Sequence, residues 1–394
     1  MESKFTIALA RGVEKIYPSK DLLLERMKKG PMLRLYQGFD PTAPSLHIGH
    51  MAGLRKLRQF QALGHHVIFL IGDFTAMIGD PSDKSAARVK LSRQEVKKNL
   101  HSFKDQAARI LDFDDPKNPV RIAFNAAWLS KLSFEELLDL ASHFTVQQLI
   151  ERDMYQERIK QGRPIAFSEF FYPLMQGYDS VALDVDLEIG GTDQTFNMLA
   201  GRTLARTLKN KEKFVLTTKL LQSTDGKKMG KTEGNMIAMD EKPRDIYGKV
   251  MSLSDGFLPL LVELLTDFDI PQMIDAPLLL KKRVAFDIVR QIHGEMEAKN
   301  AQGEFERVYQ ERGTPTVKET IIVSQTLIPA IDLVASVPNI SRSEARRLIQ
   351  QAGVVYNGTV IVDGDQKLEI GGVLRIGKHR AFGTTTDAPD NRSS

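Results

Sequence analysis

Two short stretches of the chain carry the residue types that handle phosphates. The first is Asp40-Pro41-Thr42-Ala43-Pro44-Ser45-Leu46-His47-Ile48-Gly49-His50, which follows a strand-like run and opens a helix-like one. Backbone N–H groups and the helix dipole at such a junction favour an anion. His47 and His50 lie three residues apart, on one face of a first helical turn. Gly49 between them lets a nucleotide come close to the backbone. A zinc pair is the rival reading, but the spacing is not the usual i, i+4 and no acidic helix partner follows. The second stretch is Lys228-Met229-Gly230-Lys231-Thr232, after the turn Thr224-Asp225-Gly226-Lys227 and about 180 residues downstream of the first. Two lysines around a glycine suit phosphates whose charge grows during a reaction. Taken alone, such a loop is as readily a solvated one.

The elements that must hold these residues follow from hydropathy and turn signals. Short apolar or β-branched runs at 33–39, 67–71, 120–124, 187–189 and 214–217 read as strands bounded by Gly, Asp or Pro. Between the first two, 49–63 reads as a helix with Leu54, Leu57 and Phe60 on one side and Gly64 beyond its end. Strand, helix and strand at this spacing predict an α/β fold with a parallel sheet. Ligands in such sheets bind beyond the C-terminal ends of the strands, where both His47 and His50 fall. From about 246 to 312 the pattern is purely helical, with a turn around 269–277. A linker begins at Gly313, and a small separate unit begins near Ile331. That unit holds a helix over 341–351 and short strands to about Arg380, ahead of a polar tail.

The two phosphate-handling stretches together resemble the paired signatures of class I aminoacyl-tRNA synthetases. The amino acid is indicated by other segments, which look like the tyrosyl branch. They are Arg34-Leu35-Tyr36-Gln37-Gly38-Phe39-Asp40-Pro41-Thr42, Gly79-Asp80-Pro81-Ser82, Tyr172-Pro173-Leu174-Met175-Gln176-Gly177-Tyr178-Asp179 and Gly190-Gly191-Thr192-Asp193-Gln194. The resemblance runs from about Val13 to Arg380. It implies a Rossmann-like parallel-sheet catalytic domain over 1–235, an α-helical anticodon-side domain over 236–326, an S4-like α+β RNA-binding domain over 331–381 and a disordered tail over 382–394.

The same resemblance implies a pocket. Tyr36 and Asp179 would contact the phenolic hydroxyl of tyrosine, Asp80, Tyr172 and Gln176 its α-ammonium, and Gln194 its carboxylate. Gly38 and Asp193 would meet the ribose of ATP, with Asp40 and Gly49 also on the nucleotide side. His47, His50 and Thr42 would line the phosphate path, while Lys84, Arg88, Lys228, Lys231 and Thr232 would close over pyrophosphate. Two positions depart from a common family pattern: Gln37 stands where Cys is frequent, and Gly53 where Thr is often found. Both are peripheral ribose contacts, so ATP affinity is in question while the reaction is not. One helix face can present Tyr172, Gln176 and Asp179, four and three residues apart, with Phe170, Phe171, Leu174 and Met175 inside.

The small C-terminal unit resembles an S4-type RNA-binding domain in Ile340-Ser341-Arg342-Ser343-Glu344-Ala345-Arg346-Arg347-Leu348-Ile349 and in Val354-Val355-Tyr356-Asn357-Gly358. Arg342, Arg346 and Arg347 can line one side of its helix, fit for phosphates. Charge alone does not demand this, since eight Lys/Arg and seven Asp/Glu follow residue 330. The whole chain is equally balanced, with 54 Lys plus Arg against 50 Asp plus Glu, so bulk charge does not announce nucleic acid. Lys209 to Lys213 reads as a solvated loop, and Lys281-Lys282-Arg283 as a tRNA contact. The absence of cysteine excludes disulfides, thiol nucleophiles and Cys-type zinc sites, and it suits a reducing cytoplasm. No apolar run is long enough to span a bilayer. The resemblance implies as partners tyrosine, ATP with Mg²⁺ (and no protein-bound metal), tRNA and a second copy of the chain. A tryptophanyl enzyme, a small nucleotidylyltransferase and a non-catalytic RNA-binding protein are the alternatives. Tyr36 with Asp179, the extra C-terminal units and the two loop lysines weigh against each in turn.

Overall fold

The computed structural model describes residues 2–82, 91–100, 102–222, 236–268, 277–310, 319–377 and 380–386. Contacts divide the chain into two compact units, Met1–Ala298 and Lys299–Ser394.

The first unit is built on a six-stranded sheet. Its strands are β1 (Val13–Tyr17), β2 (Arg34–Phe39), β3 (His66–Ile71), β4 (Arg121–Phe124), β5 (Leu187–Gly191) and β6 (Phe214–Thr218), in the order β1-β6-β5-β2-β3-β4. The five strands expected from sequence all form, and all pair in parallel. The sequence reading missed β1, which closes one edge antiparallel to β6. From β2 the chain builds outward through β3 and β4, then returns to place β5 on the other side of β2. Strand order therefore reverses between β2 and β5, and the ligand crevice of such sheets falls there, beyond the C-terminal ends of the strands. Asp40 follows β2 and Thr192-Asp193-Gln194 follow β5, so two segments about 150 residues apart in sequence meet at one place.

Strand alternation assigns the faces. Tyr36 lies in register with Glu188 on the neighbouring strand. Tyr36 is fully buried with Ile68, Leu70, Leu183 and Val185. Gln37, next along β2, meets the opposite face, where the helix Ile48–Ala62 packs. That helix buries Ile48, Met51, Leu54, Leu57 and Phe60. It ends at Gly64, whose φ of +91° suits the residue without a Cβ. Over the Tyr36 face lie the helices Tyr172–Ala182 and Thr195–Lys209, which touch through Gly177 and Gly201. A Cβ on Gly177 would sit 3.1 Å from the Gly201 nitrogen.

The helices that follow pack within this same unit. Pro243–Ser252, Leu258–Leu265 and Pro277–His293 are joined to the sheet side by specific bonds. Arg11 donates to the carbonyls of Val262 and Glu263, and Lys219 pairs with Glu263 at 2.8 Å. Lys281 pairs with Asp255 at 2.6 Å, so its charge is engaged locally. Gly294, with φ +89°, separates the helices Pro277–His293 and Glu295–Phe305.

The second unit contains the sheet order β10-β9-β12-β13-β7 and a two-stranded β8–β11 ribbon. These are β7 (Glu319–Ile322), β8 (Leu327–Pro329), β9 (Val354–Tyr356), β10 (Thr359–Ile361), β11 (Lys367–Glu369), β12 (Val373–Ile376) and β13 (Arg380–Thr385). The helix expected over 341–351 forms as Arg342–Gln350, with the Ser341 hydroxyl accepting from the Glu344 N–H. Two boundaries differ from expectation. β7 pairs in parallel with β13, so residues placed in the helical segment belong to this sheet. The polar end expected to be disordered from 382 is ordered through Thr385, because Phe382 and Thr384 turn inward. The Thr384 hydroxyl accepts from the N–H groups of Gly371 and Gly372 and meets the Tyr356 hydroxyl. Among the described residues no helix is long and apolar enough to cross a membrane.

Candidate active site

The crevice at the sheet reversal holds three hydrogen-bonded clusters. The first is the start of the Ile48–Ala62 helix. His47 is its N-cap, and the two histidine rings stack with centroids 3.8 Å apart. The Nδ1 of His47 accepts the Gly49 N–H at 3.1 Å, and the Nδ1 of His50 accepts the His47 N–H at 3.2 Å. An accepting Nδ1 places the proton of a neutral imidazole on Nε2, so both rings present Nε2 as a donor. The helix end thus caps itself with the two histidines. Thr42 and Gly38 are exposed at the mouth of the crevice, and so is Asp193.

The second cluster runs from Asp40, just after β2, to the buried carboxylate of Asp179. Asp40 accepts from the hydroxyls of Thr75 at 2.7 Å and Tyr172 at 2.8 Å. A Cβ on Gly72 would overlap that Asp40 carboxylate, so the close approach requires glycine here. Asn125 donates to the Thr75 hydroxyl at 3.0 Å and to Asp179 at 3.3 Å, and Trp128 Nε1 donates to Asp179 at 2.7 Å. Asp179 is buried, and that burial pushes its carboxyl well above the usual range, against the pull of Trp128 and Asn125. Burial likewise raises the Tyr172 and Tyr36 phenols, with Asp40 foremost among the charges acting on the first and Glu188 on the second. Asp80 and Gln194 form a further contact: Gln194 Nε2 donates to Asp80 Oδ2. Asp80 Oδ1 accepts from the Ser82 N–H at 2.8 Å and from its hydroxyl at 2.7 Å.

The third cluster lies beneath Tyr36. The Tyr36 hydroxyl meets Ser180 Oγ at 2.9 Å, and Ser180 donates to Glu188 at 3.3 Å. Gln176 Nε2 donates to the other oxygen of Glu188 at 3.0 Å. Lys213 pairs with Glu188 and donates to the Met198 carbonyl.

Among the described residues expected in the pocket, Tyr172 donates to Asp40, Gln194 to Asp80, the His47 N–H to His50 and the Tyr36 hydroxyl to the Gln176 carbonyl, while Lys84, Arg88, Lys228, Lys231 and Thr232 lie outside the described residues. Thr75, Asn125, Trp128, Ser180, Glu188 and Lys213 were missed. Trp128, the single tryptophan, carried a signal that could have been followed. Lys213 corrects the reading of 209–213 as a solvated loop: it has no exposed surface and faces a buried carboxylate. The two departures from the family pattern turn out to be one feature. A Cβ on Gly53 would overlap the Gln37 amide, so the side chain at 37 occupies the volume of the one missing at 53.

A parallel sheet with histidines capping a helix at its reversal point, beside an acid-lined polar pocket, is the arrangement of a class I aminoacyl-tRNA synthetase. The family model for class I tRNA synthetases of the W and Y branch matches residues 28–310. A tyrosine–tRNA ligase of Thermotoga maritima is 41% identical over 378 residues, covering 92% of this chain and 93% of its own. One from Haemophilus ducreyi is 42% identical over 391 residues, covering 94% and 96%. Among solved structures, a truncated mitochondrial tyrosyl-tRNA synthetase of Aspergillus nidulans superposes with a TM-score of 0.66 at 23% identity, over 78% of this chain and 94% of that one. That last likeness supports the fold. The chain belongs to the tyrosyl-tRNA synthetase family.

Proposed function

We propose that the chain carries out both half-reactions of a tyrosine–tRNA ligase. The tyrosine carboxylate attacks the α-phosphorus of ATP in line, and pyrophosphate leaves. The 2′- or 3′-hydroxyl of the terminal tRNA adenosine then attacks the adenylate carbonyl, releasing AMP. The carrying observation is the burial of the polar side chains of Tyr36 and Asp179, in a unit whose Ile48–Ala62 helix opens on the mutually capping His47 and His50. Tyr36 and Asp179 would read the phenolic hydroxyl, Asp80, Tyr172 and Gln176 the ammonium, and Gln194 the carboxylate. Asp80 and Gln194 are already bonded to each other, which fixes them as a pair for the two charged groups of an amino acid.

Neither step needs a covalent enzyme intermediate, so catalysis rests on positioning and on charge stabilisation at the phosphates. The Nε2 donors of His47 and His50 are set before ATP arrives, which is when a donor costs least to use. Asp193 and Gly38 would meet the ribose. Lys84, Arg88, Lys228, Lys231 and Thr232 would close over the pyrophosphate, and Mg²⁺ would arrive with ATP as its counter-ion. The S4-like unit would hold tRNA. Of its arginines, Arg342 pairs with Asp332 and Arg347 with Glu344, leaving exposed Arg346 as the main phosphate contact. A homodimer is supported by exposed Phe124 on edge strand β4 and by exposed Phe134, Leu138 and Val146 just after it. Sedimentation of the purified chain tests that point. The absence of cysteine supports a reducing, cytoplasmic setting.

Amino-acid-dependent exchange of labelled pyrophosphate into ATP, run with tyrosine and tryptophan separately, tests the assignment. Exchange with tyrosine alone is the expected result. Exchange with tryptophan, or with neither, overturns it.

A further inference from the structure

Three donors converge on one buried carboxylate directly beneath the amino-acid pocket. Glu188 Oε1 takes the Gln176 amide N–H at 3.0 Å, and Oε2 takes the Ser180 hydroxyl at 3.3 Å and the Lys213 ammonium. Through Ser180 the same carboxylate reaches the Tyr36 hydroxyl. Glu188 and Lys213 are 1% and 0% exposed, so water does not share in this pairing. None of the pocket assignments uses either residue.

We propose that Glu188, paired with Lys213, is a positioning residue that decides which end of the Gln176 amide faces the bound amino acid. A carboxylate only accepts hydrogen bonds, so the Gln176 –NH₂ must turn toward it. The amide oxygen is then left for the other side, where a positively charged ammonium requires an acceptor. With a neutral amide at 188, either orientation of Gln176 finds a partner, and the wrong one sets a donor against the ammonium. Lys213 supplies the buried carboxylate with its counter-charge. Burial pulls the Lys213 ammonium down from its ordinary value, and Glu188 holds it up. Strand register explains why the pair sits here, since Glu188 lies beside Tyr36 and Lys213 immediately precedes β6.

This inference rests on the reading that Gln176 contacts the ammonium, and the test separates the two. In the full-length enzyme, Glu188→Gln, Glu188→Gln/Lys213→Met and Gln176→Ala are compared with wild type. The double variant removes both buried charges together, so it remains informative if the single one fails to fold. Each is assayed for tyrosine KM and kcat in pyrophosphate exchange. Each is also assayed for inhibition by tyramine, which has the ammonium alone, and by 3-(4-hydroxyphenyl)propionate, which has the carboxylate alone. Both Glu188 variants should weaken tyrosine and tyramine by about tenfold, the scale of one hydrogen bond to a charged group, with kcat little changed. The propionate should bind as before. Equal weakening of all three ligands, or of none, overturns the positioning role. Unchanged tyramine binding in Gln176→Ala instead overturns the reading of Gln176 itself.

Discussion

Asp179 takes hydrogen bonds on both oxygens, from Trp128 and from Asn125, so Asp179→Asn is more than a loss of charge. Its new –NH₂ must face either the indole N–H or the Asn125 amide, donor against donor. We expect kcat/KM for tyrosine to fall by roughly 10- to 100-fold, the range of hydrogen bonds to charged groups, with a smaller fall for phenylalanine. Tyr36→Phe should cost about 1 kcal/mol for tyrosine, the net worth of a neutral hydrogen bond. Steady-state kinetics with both amino acids measure each effect, and an unchanged tyrosine-to-phenylalanine ratio in both variants would remove these residues from hydroxyl recognition. On the opposite face of β2 from Tyr36, Gln37 and Gly53 share one volume. Gly53→Thr alone should destabilise the fold by roughly 1–3 kcal/mol, as overpacking does, and raise the KM for ATP. Adding Gln37→Ala should recover most of both. Urea unfolding and ATP kinetics of the four proteins give the coupling, and simple additivity would mean the two side chains do not compete.

At the scale of elements, the pocket depends on how closely two helices approach. A Cβ on Gly201 would lie 2.5 Å from Lys213 Nζ and 2.6 Å from Ser180 Oγ, with Gly177 behind. Gly201→Ala must therefore push Thr195–Lys209 away from Tyr172–Ala182 or displace the buried lysine. The expected loss is about 1–3 kcal/mol in urea unfolding, together with a raised tyrosine KM. A different element carries a pH dependence. His65 enters β3 from the Ile48–Ala62 helix, and its Nδ1 accepts the Leu33 N–H at 3.1 Å. Burial, with Arg26 and His66 adding to it, lowers its pKa from 6.5 to about 4. Between those values the unfolded chain binds a proton and the folded chain does not, so stability is full above 6.5 and is lost as pH falls toward 4. His65→Asn should lack this component. Unfolding midpoints at pH 7 and 4.5 for both proteins measure it, and equal slopes would refute the assignment.

Across the whole molecule, the two compact units suggest two separable tasks. A chain ending after Gln310 keeps every described pocket residue and does not leave β7 or β8 without their sheets. It should exchange pyrophosphate normally and charge tRNA poorly. Within the full chain, Arg346→Ala should weaken tRNA binding and reduce the slope of log affinity against log salt by about one. Arg342→Ala and Arg347→Ala should matter less, because Asp332 and Glu344 already engage those side chains. Filter binding over a salt series ranks the three, and equal tRNA charging by truncated and complete chains would refute the division of labour.

Local patterns were enough to mark the strands from β2 to β6, the helix after His47 and the polar residues along Tyr172–Ala182. Each depends on periodicity, a cap or a turn within a few residues, and such signals survive in one dimension. The antiparallel β1 and the ordered Thr384 escaped because their reasons are distant partners, Thr217 and Gly372. The same holds for the pocket. Tyr36, Asp80 and Asp179 could be named from motifs, but the lysine at 213 looked like one more surface charge in a basic loop. Only the parallel pairing of β2, β5 and β6 brings it against Glu188, where a charge without its partner would be too costly to bury. Which residues could recognise an amino acid was written locally, and which way they point was decided by the pairing of strands far apart in the chain.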